Sequence, residues 1–305
     1  MYTNLINLIE QYRNEDGCRK ALEDLKWPHG VKCPRCKSEK VSRIKDRDQY
    51  YCDSCHYNFS VTAGTIFHDS HLPLWKWFLA VYLMIESKKG MSANQLKRSL
   101  SVSYKTAWYL CHRIRKAMEE ASNMPKLNGI VEIDETYVGG KYDKRRKRNP
   151  YEKQPVMGIL QRDGTFEART IPKASRRILY GVIKDRVSKD ATIMTDELKA
   201  YKYLDRAFMH KCVNHSTHEW VRGDIHTNGC ENAWSLFKRS VIGSYHKVST
   251  KHMDAYLDEF EWRFNGRENP YLFRDTLIRL LNAPKMEYKK LIGEEPPQED
   301  QRDEF

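Results

Sequence analysis

The sequence predicts an α/β protein in which a mixed β-sheet flanked by helices follows a small cysteine-based module and a helical region. Between residues 128 and 285, short runs rich in β-branched and aromatic residues alternate with helical patterns, which is typical of a mixed sheet covered by helices. Near the N-terminus, two C-x-x-C pairs are separated by 15 residues, a spacing typical of a small metal-binding module.

The composition is basic, with a net charge of +12 and a pI near 9.2 over 305 residues. This length allows one large domain or two to three smaller ones. The charge favours a polyanionic partner such as double-stranded DNA, although a solvated basic surface without nucleic acid has the same composition.

Targeting signals and membrane spans are not recognisable in the sequence. It has no apolar run long enough to cross a bilayer, and its first residues form neither a basic leader nor an apolar signal core. We therefore expect no membrane partner and a cytoplasmic protein, associated with the nucleoid if the host is a bacterium. The clustering of cysteines in two pairs indicates metal binding in a reducing compartment rather than disulfides.

Residues 1–30 are expected to form two short amphipathic helices, and residues 31–62 a zinc ribbon. The two cysteine pairs flank strand-like segments, so four thiolates can close a tetrahedral site that leaves no open position for water. The zinc ion is therefore expected to be structural, with redox or disulfide chemistry as the alternative. The predicted ligands are Cys33, Cys36, Cys52 and Cys55.

Residues 72–122 are predicted to be helical, beginning with an almost wholly apolar stretch from Leu72 to Ile85 that must be a buried helix or an interface. Two further helical patterns follow, and Ser92 and Ser103 are placed to cap them. The pair has helix-turn-helix dimensions, which favours insertion of the second helix into a major groove; a plain helical hairpin is the alternative. The DNA contacts expected from that helix are Lys105, Arg113 and Arg115.

Three acids follow in an order with chemical meaning. Asp134 falls within a strand-like segment, Asp196 directly follows a short apolar run, and Glu231 begins a helical pattern 35 residues later. Carboxylates of this kind hold Mg²⁺, and two such ions about 3.5–4 Å apart cut phosphodiesters by in-line displacement. Lys238 lies nearly two helical turns after Glu231 and shares its helix face. The ordinary alternative for each residue is a turn, a cap or a solvated helix face.

The remaining predicted elements fit around these acids. Strands are expected at residues 130–138, 156–161, 165–171, 191–194 and 211–213, and a helix at 176–187. Helices at residues 252–264 and 271–281 are both expected to cover the sheet. The acidic, proline-bearing tail at residues 293–305 is expected to be disordered.

A strongly basic segment lies between the first two predicted strands, with seven Lys and Arg among residues 141–153. It is too charged to be buried, so we predict a phosphate-gripping loop, with a merely solvated loop as the alternative. Its predicted DNA contacts are Lys144, Arg145, Arg146, Lys147 and Arg148.

The tripeptide HTN directly precedes the Glu231 helix. Thr227 or Asn228 can cap this helix, and His226 or Asn228 can reach a scissile phosphate. Arg239 extends a basic surface away from the same helix. The histidines of this region do not follow the spacing of a zinc knuckle, so they do not predict a second zinc site.

The blocks VEIDETYVGGK, TDELKAY and HTNGCENAWSLFKRSVIGSYHKVS resemble DDE-type insertion-sequence transposases of the zinc-ribbon, Merlin-like group (ISXO-type), whose catalytic domain is RNase H-like. The resemblance covers most of the chain. It implies that Asp134, Asp196 and Glu231 hold two Mg²⁺ or Mn²⁺ ions and that Lys238 is the characteristic lysine of the group. It also implies transposon ends and target DNA as partners, and a homodimer or larger assembly in the synaptic complex.

We therefore expect a transposase that binds terminal inverted repeats and catalyses strand cleavage and strand transfer. Two alternatives remain at this level. The ribbon and the helix pair would also suit a sequence-specific DNA-binding regulator, and the acids would also suit an RNase H-like nuclease that cuts DNA without joining it.

Overall fold

Two helices open the described chain, α1 at Leu5–Gln11 and α2 at Glu15–Lys26. Both begin with an asparagine cap, because the side chains of Asn4 and Asn14 each accept a backbone N–H from the first helical turn, at 2.9 and 2.8 Å. The computed structural model describes residues 4–119, 124–139 and 153–294. The predicted acidic tail lies outside these ranges from residue 295 onward, and the predicted basic segment lies outside them from residue 141 to residue 152.

A small antiparallel sheet follows the two helices, with strands in the order β1, β2, β3. Its strands are Val41–Ile44 (β1), Gln49–Cys52 (β2) and Asn58–Phe59 (β3). Tyr50 packs against Phe59 with ring centroids 5.7 Å apart, and Trp27 contacts both rings edge-on. This aromatic cluster gives the small module a core of its own.

Three helices occupy the region predicted to be helical. They are Leu74–Glu86 (α3), Ala93–Leu100 (α4) and Tyr104–Met118 (α5). Most of the apolar side chains of α3 are buried, as predicted. The hydroxyl groups of Ser92 and Ser103 accept backbone N–H groups from Gln95 and Thr106 at 3.2 and 3.1 Å, so both predicted caps are present.

A five-stranded mixed sheet carries the three acids, and its strand order is β6, β5, β4, β7, β8. β4 pairs antiparallel with β5 and parallel with β7, and β7 pairs parallel with β8. The predicted mixed sheet is therefore confirmed. The strands are Ile130–Val138 (β4), Gln154–Gln161 (β5), Phe166–Thr170 (β6), Thr192–Thr195 (β7) and Met209–Cys212 (β8).

Helices cover both faces of this sheet: α6 at Arg176–Arg186, α7 at Asn228–Ser240 and α8 at Met253–Asn265. Val131 and Ile133 of β4 share a core with α6. Side chains alternate along a strand, so Glu132 and Asp134 face the opposite side, where α7 and α8 form the second core. The acids of β4 therefore lie on the face that α7 covers.

The helix expected at residues 271–281 is present as Leu272–Asn282 (α9), followed by Tyr288–Ile292 (α10). Its predicted position on the sheet is wrong. Phe273 of α9 packs against Phe78 with ring centroids 5.8 Å apart, and the carbonyl of Leu280 accepts the backbone N–H of Ile66. A helical period identifies an apolar face but does not identify its partner.

The chain forms two compact units. One unit contains the described parts of Met1–Tyr82, Lys97–Ala117 and Phe273–Phe305, and the other contains those of Leu83–Leu96 and Met118–Leu272. The mixed sheet, α6, α7 and α8 all belong to the second unit. Within the described residues, no helix is both long enough and apolar enough to cross a membrane.

Candidate active site and zinc centre

The register of two parallel strands places Asp134 and Asp196 at the same level. β4 and β7 pair Glu132 with Met194, so Asp134 and Asp196 each lie two residues further along. Asp134 therefore lies level with Asp196 at the carboxyl end of β7, although β4 itself continues to Val138, and neighbouring strands are spaced about 4.8 Å apart in any sheet. In open α/β sheets this end is where ligands bind.

Helix α7 brings the third acid to this edge. Trp234 is buried on the sheet, and its ring lies against Gly158 of β5, the residue paired with Asp134. A Cβ on Gly158 would come within 2.5 Å of the Trp234 ring, so only glycine permits this approach. Glu231 lies three residues before Trp234 and therefore projects from the same side of the helix.

The pKa values indicate that the acids interact. Burial, followed by the charges of Asp196 and Glu231, raises the pKa of Asp134 to about 7, against a lowering effect of Lys238. Burial also raises the pKa of Asp196. A buried carboxylate among like charges is unfavourable, and a divalent cation removes that cost. Mg²⁺ prefers oxygen ligands of this kind, so the donor set fits the ion that the sequence predicts.

The group of three acids is more open than the cysteine cluster. Among the described residues, only the four cysteines form a group of three or more whose potential ligand atoms all lie within 4.8 Å of one another. The carboxylate of Glu231 is held by the hydroxyl of Thr227, which donates to it at 3.0 Å. Lys238 is exposed on the same face of α7. An open carboxylate group leaves coordination positions for water and phosphate oxygens, as Mg²⁺ sites require.

Glu132 is a buried acid that the sequence analysis missed. It is 1% exposed and accepts the backbone N–H groups of Gly229 and Cys230 at 2.7 and 3.2 Å. The carboxylate therefore caps the N-terminus of α7 from the neighbouring strand, where it also complements the helix dipole. Capping by Thr227 or Asn228 was expected, but the side chain of Thr227 makes no cap hydrogen bond.

Arg162 and His226 complete this network. Arg162 Nε donates to Glu132 at 2.7 Å, and its terminal nitrogen lies 3.0 Å from His226 Nδ1. His226 Nδ1 also lies 3.3 Å from the Glu132 carboxylate. The imidazole predicted to reach a scissile phosphate thus contacts the ion pair of Arg162 and Glu132. The only sequence signal for the network was an acid at an alternating position within an apolar strand.

A half-buried acid, Glu135, follows Asp134 directly. Burial raises its pKa to about 8. The hydroxyl group of Tyr201 donates to its carboxylate. Tyr201 lies just after Asp196, so this hydrogen bond ties the segment after β7 to β4.

The four cysteines form a compact centre. Cys33 and Cys55 have sulfur atoms 3.6 Å apart, and those of Cys36 and Cys52 are 3.5 Å apart. A zinc ion with bonds of about 2.3 Å in a tetrahedral site would place sulfurs about 3.8 Å apart, so the arrangement fits zinc. Each pair is closed by the same turn, in which the backbone N–H four residues after the first cysteine donates to that cysteine's carbonyl.

Two predicted DNA contacts on α5 are wrong. Arg113 is 4% exposed and donates to the backbone carbonyls of Ile66 and His68, and Arg115 is 1% exposed. These guanidinium groups cannot enter a groove, because they are buried within the protein. The basic residues on a helix indicate a charged surface only when they lie on its solvated face, and the sequence did not fix that face.

The other predicted contacts fall into two groups. Lys105 is exposed, with its ammonium 4.4 Å from the Tyr288 ring centroid, and Asn228 and Arg239 are exposed on α7. Lys144, Arg145, Arg146, Lys147 and Arg148 lie outside the described residues.

Two family domains and two relatives match this chain. Residues 126–265 match the ISXO2-like transposase domain, and residues 13–58 match the transposase zinc-ribbon domain. The chain is similar to an uncharacterized protein in transposable element ISH50 of Halobacterium salinarum, with 33% identity over 277 residues, covering 84% of this chain and 92% of the relative. An uncharacterized transposase-like protein of Haemophilus influenzae is 33% identical over 99 residues, covering 32% of this chain and 79% of that relative.

Asp134 and Asp196 lie level with each other in a mixed sheet, and a four-cysteine ribbon precedes this sheet. Together with the two domain matches, these features define a transposase, an enzyme of the nucleotidyltransferase or endonuclease type. The chain belongs to the family of ISXO2-like transposases of insertion sequences, with an N-terminal zinc ribbon that supports a structural zinc ion.

Proposed function

We propose that this protein binds the terminal inverted repeats of its own element and catalyses metal-dependent cleavage and strand transfer. Asp134, Asp196 and Glu231 would hold two Mg²⁺ ions, or Mn²⁺ in their place. When bound, these ions supply activation of the attacking oxygen and stabilisation of the leaving oxygen in an in-line displacement. Both steps use the same chemistry, first with water and then with the freed 3′-hydroxyl.

The observation that carries this proposal is that Asp134 and Asp196 lie at the same level on neighbouring parallel strands. The charge of Glu231 also raises the pKa of Asp134. Three carboxylates in this arrangement would repel one another without a cation. Lys238 supports the proposal, because its charge favours the ionised form of Asp134 and its exposed position suits contact with a phosphate.

DNA binding is proposed to involve several basic surfaces. The zinc ribbon (residues 31–62) and the helical region (residues 72–122) would contact DNA ends, with Lys105 as the contact retained on α5. His226 and Asn228 are proposed to contact the scissile phosphate, and Arg239 is proposed to contact DNA further along the strand. The segment containing Lys144, Arg145, Arg146, Lys147 and Arg148 is proposed on its composition to grip phosphates.

A further basic surface surrounds Tyr203, which is 42% exposed. The charged groups of Arg176, Lys202 and Arg206 lie 4.9, 5.0 and 4.3 Å from its ring centroid. They line a cleft of about 500 Å³, and none of the three forms an ion pair within the described part of the chain. Three cations around one aromatic ring favour binding of a DNA strand, because the cations attract its phosphates and the ring can stack on a base or a sugar. We add this surface to the proposed DNA interface.

The experiment that tests the proposed activity compares three proteins on DNA that carries the flanking repeats of the element. These are the native chain, Asp196→Asn and the matched control Asp190→Asn, an exposed acid six residues earlier. Binding, cleavage and strand joining are measured separately in Mg²⁺. We expect the native chain and the control to bind, cut and join, and Asp196→Asn to bind without cutting.

The outcomes separate the proposal from its alternatives. Binding by all three proteins without any reaction would favour a DNA-binding regulator. Cutting without joining, in the native chain and the control alike, would favour an RNase H-like nuclease. Because joining two ends requires both in one complex, we also propose a homodimer or larger assembly. The molar mass of the protein, measured by light scattering with and without DNA ends, gives its oligomeric state.

A further inference from the structure

The turn that carries His215 is attached to the residue next to Asp196. Glu197 accepts the backbone N–H groups of His215 and Ser216 at 2.9 and 3.0 Å, and also the hydroxyl group of Ser216. These hydrogen bonds hold a 3₁₀ turn, His215–Thr217, beside the end of β7. The position of the His215 imidazole is therefore coupled to the position of Asp196.

The imidazole of His215 points at the carboxylates. Its Nε2 atom lies 3.7 Å from Glu231 Oε1. The ring packs against Trp220 with centroids 4.5 Å apart, which restricts its rotation. Nε2 is buried, yet it has no hydrogen-bond partner among the described residues. A buried polar atom without a partner is costly, and such an atom in a native structure indicates a missing partner.

The distance of 3.7 Å distinguishes between kinds of partner. It is too long for a hydrogen bond, which would bring the nitrogen and the oxygen to about 2.9 Å. Two ligands of one divalent ion, each bound at about 2.1 Å, have ligand atoms about 3 to 4 Å apart, depending on the angle between them. The separation of Nε2 and Oε1 fits the second case.

We propose that His215 Nε2 and Glu231 Oε1 are ligands of the same divalent ion at the carboxylate site. This inference rests on the proposed carboxylate site and adds a nitrogen donor to it. An imidazole nitrogen favours transition-metal ions more than it favours Mg²⁺, so His215 would shift the preference of the site towards Mn²⁺. Glu197 is then a positioning residue, because it holds the turn and does not touch the ion.

Mn²⁺ binding to the full chain without DNA tests this role, with electron paramagnetic resonance as the readout. Pulsed measurements detect a nitrogen atom bound to Mn²⁺. We expect a nitrogen signal in the native protein that changes when its histidines are labelled with ¹⁵N. We expect His215→Asn to lose this signal and to bind Mn²⁺ at least about tenfold more weakly, a loss at least equal to that from removing an outer-shell partner.

The matched control is His218→Asn, because His218 is exposed in the same turn and has a positive φ of 60° that asparagine tolerates. It should keep the signal and the affinity. A native protein that binds Mn²⁺ without a nitrogen signal would overturn the role of His215, and this result needs no variant to fold. Unchanged Mn²⁺ affinity in His215→Asn would also overturn it and would favour a contact with a DNA phosphate.

Asp196→Asn separates the two levels of the proposal. If this variant loses Mn²⁺ binding but the native protein shows no nitrogen signal, the carboxylate site stands and only the role of His215 fails. If Asp196→Asn binds Mn²⁺ as tightly as the native protein, the carboxylate site fails, and the role of His215 fails with it.

Discussion

The ring of Trp234 lies on Gly158 so closely that a single methyl group at Gly158 would come within 2.5 Å of it. Gly158 is the β5 partner of Asp134, and Trp234 is one helical turn from Glu231. The contact therefore sets the distance between an acid on the sheet and an acid on the helix. A change in the packing of the core at this contact would therefore change the positions of the acids in the candidate site.

Gly158→Ala should therefore displace α7. The added methyl group would also meet the Phe166 ring at 3.0 Å, so the helix has to move rather than one side chain. We expect a loss of stability of about 1–3 kcal/mol, typical of overpacking, together with a loss of Mg²⁺-dependent cleavage. Urea unfolding and a cleavage assay measure the two effects.

Gly181→Ala is the control for this change, because a Cβ at Gly181 would have no neighbour within 4 Å and the residue lies within α6. Alanine there should stabilise the protein by roughly 0.5–1 kcal/mol and leave cleavage unchanged. Equal effects of the two substitutions would contradict the role assigned to the contact of Gly158 with Trp234.

Glu132→Gln should destabilise the protein by about 3 kcal/mol, because it leaves the half-buried Arg162 guanidinium without its countercharge and weakens the cap of α7. We also expect weaker Mg²⁺ binding, since the cap holds the helix that carries Glu231. Isothermal titration calorimetry at a temperature where the variant is folded measures the second effect.

The buried pair of Glu167 and Arg186, with contacts at 2.5 and 2.7 Å, offers a comparison within the same unit. Glu167→Gln should cost a similar free energy of unfolding but leave Mg²⁺ affinity unchanged, because neither residue touches α7 through a described hydrogen bond. If both variants weakened Mg²⁺ binding equally, Glu132 would have no specific effect on the site.

Asp134→Asn should stabilise the metal-free protein. The pKa of Asp134 is raised from 3.8 to about 7, so the folded chain binds more protons than the unfolded chain between these values. The stability of the native protein therefore falls as pH rises from about 4 to 7, by on the order of 4 kcal/mol, and the variant lacks this loss. Thermal unfolding in EDTA across that range measures the difference.

The same variant should lose the rise in melting temperature that Mg²⁺ gives the native protein, because binding to the folded state alone stabilises it. Asp190→Asn should behave as the native protein in both respects. A native protein whose melting temperature does not respond to saturating Mg²⁺ would argue against a cation at this group of acids.

Cys52→Ser should remove the zinc ion and unfold the ribbon, because three thiolates hold zinc more weakly and the small sheet depends on the metal. We expect one zinc per native chain by elemental analysis and little or none in the variant. Cys212→Ser, which changes an exposed free cysteine of β8, should keep the full zinc content.

Arg206→Ala should weaken DNA binding and reduce the slope of log affinity against log salt by about one, because it removes one phosphate contact. Arg113→Ala provides the contrast. This buried residue donates hydrogen bonds to two backbone carbonyl groups, so its loss should lower the stability of the fold and leave the salt slope unchanged. If the salt slope changed more in Arg113→Ala than in Arg206→Ala, Arg113 would be a DNA contact, as the helix-turn-helix prediction stated.

Much of the sheet was predictable because its signals are local. The predicted strand at residues 130–138 coincides with β4, and the other strand and helix bounds differ by a few residues at most. Alternation and composition act within a few residues, so the sequence is sufficient for them. The spacing of the cysteine pairs was equally informative, because a ribbon is built from two local turns.

The errors share one cause. Arg113 and Arg115 lie on the buried side of α5, and α9 packs beside Phe78 rather than where its order in the chain suggested. A helical period does not reveal which face meets which element. Long-range packing determines which face of a helix is buried and against which element, and the sequence of the helix itself does not specify that element.

The sequence by itself determined the chemistry of this protein: three acids on strand, strand and helix, four cysteines in two knuckles, and a basic surface. Only the tertiary structure decided how the acids are held. Glu132 caps a helix that begins almost a hundred residues later, and His215 reaches Glu231 from a separate turn. Hydrogen bonds of this kind join groups that are distant in sequence, so they exist only once the chain has folded.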